Sequence, residues 1–430
     1  MILTNAERTV VHKLAWRFLP LLIIAYLINY LDRTSVSIAA LTMNHELGLS
    51  ATQFGFGAGV FFAGYCLFEV PSNMALYKYG TRIWLTRIMI TWGLASAATA
   101  FVTGPYTFYV IRFLLGVAEA GFFPGVIFFL SSWFPREYRA RILAWFILGI
   151  PASSVIGTPI AGMLLGMNGI WGLAGWKWMF IAVSVPAILA GCMIPWLLAD
   201  TPEKAGFLTP DERRTVRSML EAEPKRTSHA SFAAVVGNVR TLLLAATQFG
   251  FLVASYGVGI WLPQILKRKD LTNFKVSLLS ALPYFVAMIG QVVWAAYSDK
   301  RNSPILNVVL SSLLGAGGLI LSIEGHSFGT KIFGIVLAVL GVNAARAIFW
   351  AIPTQYLAGA AAAAGFAFIN TVGTLGGFVG PYMVGFLKDA TGSFSAGLIG
   401  MAVLLVLAAG TASLLLLVKN NPADTGDAHS

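Results

Sequence analysis

Apolar residues run along this chain in blocks of about twenty, parted by short polar segments. A block of that length crosses a ~30 Å hydrocarbon core as an α-helix. Twelve such blocks are predicted, six over 18–41, 53–73, 84–103, 107–132, 141–165 and 178–199. Six more run over 240–262, 276–297, 304–323, 331–355, 364–387 and 393–418. The short alternating segments of a membrane β-barrel are not the pattern here. The expected fold is therefore an all-α membrane protein of twelve transmembrane helices in two six-helix halves.

One long polar segment interrupts the blocks, at 200–239. It is expected to be a cytoplasmic linker between an N-terminal bundle (1–199) and a C-terminal bundle (240–418), with 419–430 as a cytoplasmic tail. Within the linker, Thr209 is placed to cap a short amphipathic helix, with Pro210 first and Glu212 third, which is capping-box chemistry. The halves also echo one another. Gly157, Pro159 and Gly162 in the fifth span answer Gly380, Pro381 and Gly385 in the eleventh, and GVAEA (116–120) answers GVNAA (341–345). Repeated halves with Gly/Pro-interrupted helices are a sequence mark of secondary transporters.

Composition agrees with the pattern. Of 430 residues, 57% are hydrophobic and 11% charged, and mean hydropathy is +0.76. The formal net charge of +11 reads as excess Lys and Arg in cytoplasmic loops rather than as a nucleic-acid surface. Those residues concentrate on the side that carries both termini, so both are expected inside the cell. Cys66 and Cys192 fall in apolar spans and are expected as small core residues, with no disulfide framework. The first apolar stretch lacks a small-residue cleavage site and is expected to be a retained span.

Against this background the charges inside the spans stand out. Asp32 and Arg33 sit side by side in INYLDRTSVSIA. Asp32 lies fifteen residues past Arg17, about 22 Å along a helix. Arg112 and Glu119 are seven apart, two turns, and so project from one helical face. Arg346 lies in the tenth span. Each such charge costs about 3 kcal/mol to insert. Charges of this kind either lock helices together or work in a cavity. A carboxylate there suits a proton carrier, and an arginine, always charged and forked, suits an anion. Tyr30, Tyr65, Tyr256, Trp350 and Asn370 are polar or aromatic residues where a cavity is expected. Glu69 in LFEVPSN lies nearer the cytoplasmic end, as do Arg136, Arg139 and Arg141, and a gating ion contact is expected there. No metal-ligand spacing and no GxxxxGK[ST] loop is present, which excludes an ATP-driven pump within this chain. A nucleophile–base set is also lacking, so neither an enzyme nor a receptor is expected.

The motifs NYLDRTSVSIA, GYCLFEVPSN, RIMITWG, FYVIRFLLGVAEAGFFPG, WFPREYRAR, SYGVGIWLP, FWAIPTQYLAG and NTVGTLGGFVGPYMVGFLKDATGS run almost end to end. With them the chain resembles the major facilitator superfamily, and within it the anion:cation symporter (phthalate permease) family, whose members carry tartrate, 4-hydroxyphenylacetate, galactonate and phthalate. The resemblance implies alternating access and import of an organic carboxylate with protons, with Asp32 and Glu119 as coupling acids. It implies Arg33 and Arg112 as anion-binding or gating groups, and Tyr30, Tyr65, Trp350 and Asn370 as pocket residues. Glu69, Arg139, Arg141 and Asp299 are the gate candidates. One departure concerns the loop signature. In NMALYKYGTR, Tyr77 stands where an Asp is usual, whereas the second copy keeps Ser298, Asp299 and Lys300. Arg346 is a second departure: it adds a positive group for a dicarboxylate, or pairs with an acid such as Glu119. The expected partners are a small organic anion, protons as the coupling ion, and the bilayer. No cofactor, no metal and no nucleic acid is expected. The chain is expected to act as a monomer in the bacterial inner membrane. An organic-anion exporter or uncoupled facilitator is the alternative.

Overall fold

The computed structural model describes residues 5–147, 149–221, 237–356 and 359–418. Its regular elements are helices, as the length of the apolar blocks requires, because a helix satisfies all its backbone hydrogen bonds within one segment. α1 spans Asn5–Glu46, α2 Ala51–Tyr79, α3 Thr81–Thr99, α4 Pro105–Glu119, α5 Phe122–Trp133, α6 Arg136–Ile147, α7 Gly149–Leu165, α8 Gly175–Leu197 and α9 Pro210–Glu221. α10 spans Val239–Leu266, α11 Asn273–Arg301, α12 Pro304–Glu324, α13 Phe328–Phe349, α14 Pro353–Tyr356, α15 Gly359–Thr391 and α16 Ser395–Leu414. Ten stretches of the described residues are long and apolar enough to cross a membrane. α3 and α15 lie at the positions of the third and eleventh expected spans but are not among those ten.

The chain divides into two compact units. One comprises Met1–Ser35 and Gly64–Lys225, the other Val36–Ala63 and Arg226–Ser430. The segment 36–63, where α1 ends and α2 begins, thus packs with the C-terminal half rather than the N-terminal one. Asp389 shows how: its Oδ1 and Oδ2 accept from the Ala51 and Thr52 amides at 3.1 and 2.7 Å. A carboxylate from α15 thereby caps α2, whose first amides have no partner within their own helix.

Polarity is inverted relative to a water-soluble core. Leu67, Val70 and Trp196 are largely exposed, whereas Asp32, Arg112 and Glu119 are buried. Cys192 is exposed and Cys66 half-buried, both as free thiols. Neither is the core residue expected, because an apolar span has an outer face for lipid as well as an inner one. Close helix contact depends on small residues. A Cβ on Gly318 of α12 would lie 2.6 Å from the Gly334 carbonyl oxygen of α13.

Two spans depart from the continuous helices expected. In the fourth, α4 stops at Glu119, Ala120 is extended (φ −54, ψ 132), and Gly121 adopts φ 87 before α5 begins. Pro124 causes this. It has no N–H for the carbonyl four residues back, at Ala120, and its ring clashes with that carbonyl. In the tenth, α13 ends at Phe349, four residues before Pro353, by the same rule. The GVAEA repeat therefore ends a helix, whereas its GVNAA counterpart lies inside one.

The linker is partly ordered onto the first unit. Glu212 accepts from the Thr209 amide at 2.8 Å and Thr209 Oγ1 from the Glu212 amide at 3.2 Å, the reciprocal box expected. Lys13 of α1 donates to Glu212 at 2.8 Å. Phe207 meets Phe18 and Trp133 ring to ring at 5.7 and 6.4 Å. The remainder of the linker at 222–236 and the tail at 419–430 lie outside the described residues.

Candidate functional site

The first unit gathers four of the intramembrane charges. α1 contributes Asp32 and Arg33, and α4 contributes Arg112 and Glu119. Adjacent residues on a helix point about 100° apart, and the two α1 residues accordingly meet different partners.

Arg33 turns to Glu119. Its Nε donates to Glu119 Oε1 at 2.8 Å, and its Nη2 donates to the same oxygen. The Glu119 side chain is fully buried and that of Arg33 17% exposed. The Asn29 amide lies beside the same carboxylate. The guanidinium also rests between two aromatic rings, 5.6 Å from Tyr30 and 5.3 Å from Tyr65. Cation–π contact of this kind holds a cation without neutralising it.

Asp32 turns instead to α3. Its Oδ2 accepts from Trp92 Nε1 at 3.1 Å, and its Oδ1 accepts from the Ser96 hydroxyl. Arg112 is buried and interacts electrostatically with both Asp32 and Glu119. The cluster thus holds two carboxyls and two guanidiniums, with no more than 17% of any side chain open to solvent. Burying charge in this way is costly unless each charge has hydrogen-bonded partners.

Trp92 and Ser96 were not singled out from the sequence. The i, i+4 spacing puts their two donors on one face, but α3 also carries Arg82, Trp84, Arg87 and Thr91, so the spacing alone did not mark them out. Glu69 lies one turn beyond Tyr65 on α2, half-buried, and its charge interacts with that of Arg33. It therefore faces the Arg33 cluster. Arg139 donates from Nη2 to the Ser131 and Phe134 carbonyls at 2.8 and 3.1 Å. It caps the C-terminal end of α5, a favoured place for a cation. The side chain of Arg141 lies outside the described residues. Asp299 is exposed in the last turn of α11.

The second unit holds the other candidates. Trp350 stands at the break after α13, edge-on to Phe349 and Phe366 at 5.4 and 5.8 Å. Arg346 is half-buried in the last turn of α13, and Asn370 is half-buried on α15. Tyr256 packs on Phe62 at 4.4 Å. Among the described residues, no three His, Cys, Asp or Glu side chains come together as metal ligands.

A family model described as Major Facilitator Superfamily matches residues 22–381. An Agrobacterium vitis protein named for tartrate transport is 44% identical over 424 residues, 98% of this chain and 94% of the relative. A quinolone resistance transporter of Acinetobacter baumannii is 39% identical over 404 residues, 93% of each chain. Among solved structures, the fold is similar to that of a bacterial homologue of the human lysosomal transporter Spinster. The TM-score is 0.77 at 17% identity, covering 97% of this chain and 100% of that one.

Proposed function

Because the chain belongs to the major facilitator superfamily, as a multi-pass membrane transporter and not an enzyme, we propose that it imports a tartrate-like organic dicarboxylate together with protons by alternating access. The observation that carries this reading is the Arg33–Glu119 pair set beside the buried Asp32 and Arg112.

Charge balance gives the mechanism. With both acids ionised, the four groups sum to zero. A proton on Glu119 removes the charge that holds Arg33, and a proton on Asp32 removes the countercharge of Arg112. The cluster then carries two uncompensated positive charges, which match a dicarboxylate. Substrate and protons thus require one another: a carrier loaded with only one of them keeps buried charge unbalanced, whereas the empty, deprotonated carrier is balanced and can return. Arg33 and Arg112 hold the anion, Tyr30 and Tyr65 orient the freed guanidinium, and Asp32 and Glu119 carry the protons. Trp350, Asn370 and Arg346 are the proposed substrate contacts of the second unit. Glu69, Arg139, Arg141 and Asp299 are assigned to gating. The tartrate-named relative supports the substrate class. The location proposed is the inner membrane, with both termini cytoplasmic and the monomer as the working unit.

The test is uptake into proteoliposomes under an imposed pH gradient, acidic outside. Tartrate should accumulate in wild type, and Asp32→Asn, left with Glu119 as its one coupled acid, should accumulate it about tenfold less under a gradient of one pH unit. Accumulation by Asp32→Asn equal to wild type would remove proton coupling at that residue. A second reading, outward transport, is favoured by the relative named for drug resistance. Accumulation that requires the reversed gradient would establish it.

A further inference from the structure

The break in the fourth span leaves a carbonyl in need of a donor. Ala120 O has none within its own chain segment, because the residue four places on is Pro124. A neighbouring helix supplies one. Ser72 of α2 donates its hydroxyl to Ala120 O at 2.6 Å and is buried.

The direction of that hydroxyl is itself determined. A serine oxygen has one proton to give and two lone pairs to fill. Trp84 Nε1 donates to Ser72 Oγ at 2.9 Å and Arg87 Nη2 donates to it at 3.4 Å. Both lone pairs are thus taken and the proton is committed to Ala120. The two donors support each other, since the Arg87 guanidinium lies 4.2 Å over the Trp84 ring. Gly121 completes the fit. Its φ of 87 suits glycine, and a Cβ there would lie 2.8 Å from the Ser72 Cβ.

Glu119 is the residue immediately before this pinned carbonyl. We propose that Ser72, oriented by Trp84 and Arg87, is a positioning residue for Glu119: it holds the broken backbone of the fourth span where the Glu119 carboxyl reaches Arg33. Ser72 touches neither substrate nor proton. It acts through the Ala120 carbonyl on the geometry of the Arg33–Glu119 pair, and so on the proton affinity of that pair. This rests on the reading of Glu119 as a coupling acid.

The experiment is infrared titration of the purified full chain, following the protonated-carboxyl band that Glu119→Gln abolishes. It needs no knowledge of the substrate. Ser72→Ala should move the midpoint of that band by about one pH unit or more, a tenfold change in proton affinity. Ser72→Thr, which keeps the hydroxyl, should return the midpoint to within a few tenths of a unit of wild type. Trp84→Phe keeps the ring stack but removes the indole donor, and should move the midpoint by a smaller amount in the same direction as Ser72→Ala. This variant provides the test if Ser72→Ala does not fold. A wild-type midpoint in Ser72→Ala, or in Trp84→Phe where only that variant folds, overturns the positioning role. So does a shift that Ser72→Thr leaves unrestored. A titrating band that survives unchanged in Glu119→Gln overturns instead the coupling role of Glu119, on which the proposal stands.

Discussion

Glu119→Gln removes one negative charge from a fully buried side chain. Arg33 donates to its Oε1 at 2.8 Å. Truncating one member of a buried pair costs about 3–5 kcal/mol. Glutamine keeps the carbonyl oxygen that accepts from Arg33, so the loss should be that of charge assistance, about 1.5–3 kcal/mol. The variant should therefore fold with a lowered Tm, which thermal unfolding in detergent checks. Its effect on transport is larger. A gradient of one pH unit is worth about 1.4 kcal/mol per proton, a factor of about ten. Two protons carried with a dianion leave no net charge to be driven by the membrane potential, so at equilibrium wild type should concentrate tartrate about 100-fold. With Asp32 alone coupled, Glu119→Gln should reach about tenfold at zero potential. The assay is radiolabelled tartrate in proteoliposomes, with the potential clamped by valinomycin and matched potassium. An accumulation ratio in Glu119→Gln equal to wild type would refute the assignment of a coupled proton to this residue.

Other outcomes follow from named contacts. Trp92→Phe deletes one of the two donors to Asp32 at 3.1 Å and should cost about 1.5–3 kcal/mol in thermal unfolding. The same change in an Asp32→Asn background should cost less than half of that, since the charged acceptor is gone. Asp389→Ala removes the cap on α2 and should cost about 0.5–2 kcal/mol, with Asp389→Asn costing less. Burial pushes the Asp389 carboxyl up, but hydrogen bonds from Thr52, Ser50 and Ala51 outweigh it and hold it below its ordinary value. Its contribution is therefore present above the unfolded value near pH 4 and lost as pH falls through the lowered folded value. Unfolding measured from pH 7 to pH 3 should lose that increment in wild type and show no such loss in Asp389→Ala. The Glu212 carboxyl is likewise held down, first by the Lys13 hydrogen bond and then by the Thr209 amide. Hydrogen exchange in α9 should rise as pH drops below about 4, after correction for intrinsic rates. Lys13→Ala should raise it at neutral pH by the few tenths of a kcal/mol that a solvent-screened pair contributes.

Much of this protein was legible before any coordinates. A span can be read from sequence because crossing a bilayer is a near-additive property of one segment: about twenty apolar residues suffice whatever surrounds them. For the same reason Asp32, Arg33, Arg112 and Glu119 announced themselves, since a charge inside such a segment is visible against its neighbours. The capping box at Thr209 and Glu212 was equally local, three residues apart, and formed as expected.

What the sequence left undecided were relations between residues far apart in it. The spacing of Arg112 and Glu119 showed a shared face, yet the hydrogen-bonded partner of Glu119 is Arg33, 86 residues away. Trp92 and Ser96 became partners of Asp32 only because α3 packs beside α1. Pro124 leaves the Ala120 carbonyl without its helical donor, yet Pro20, Pro71 and Pro381 lie inside helices that continue past them, so the break in the fourth span was not legible from the proline alone. Which group then satisfies that carbonyl depended on Ser72, 48 residues earlier. Sequence alone determined the spans and the charges, whose energies are local. Tertiary structure decided the pairings, because a buried charge or an orphaned carbonyl takes whichever donor or acceptor the packing of helices brings within about 3 Å.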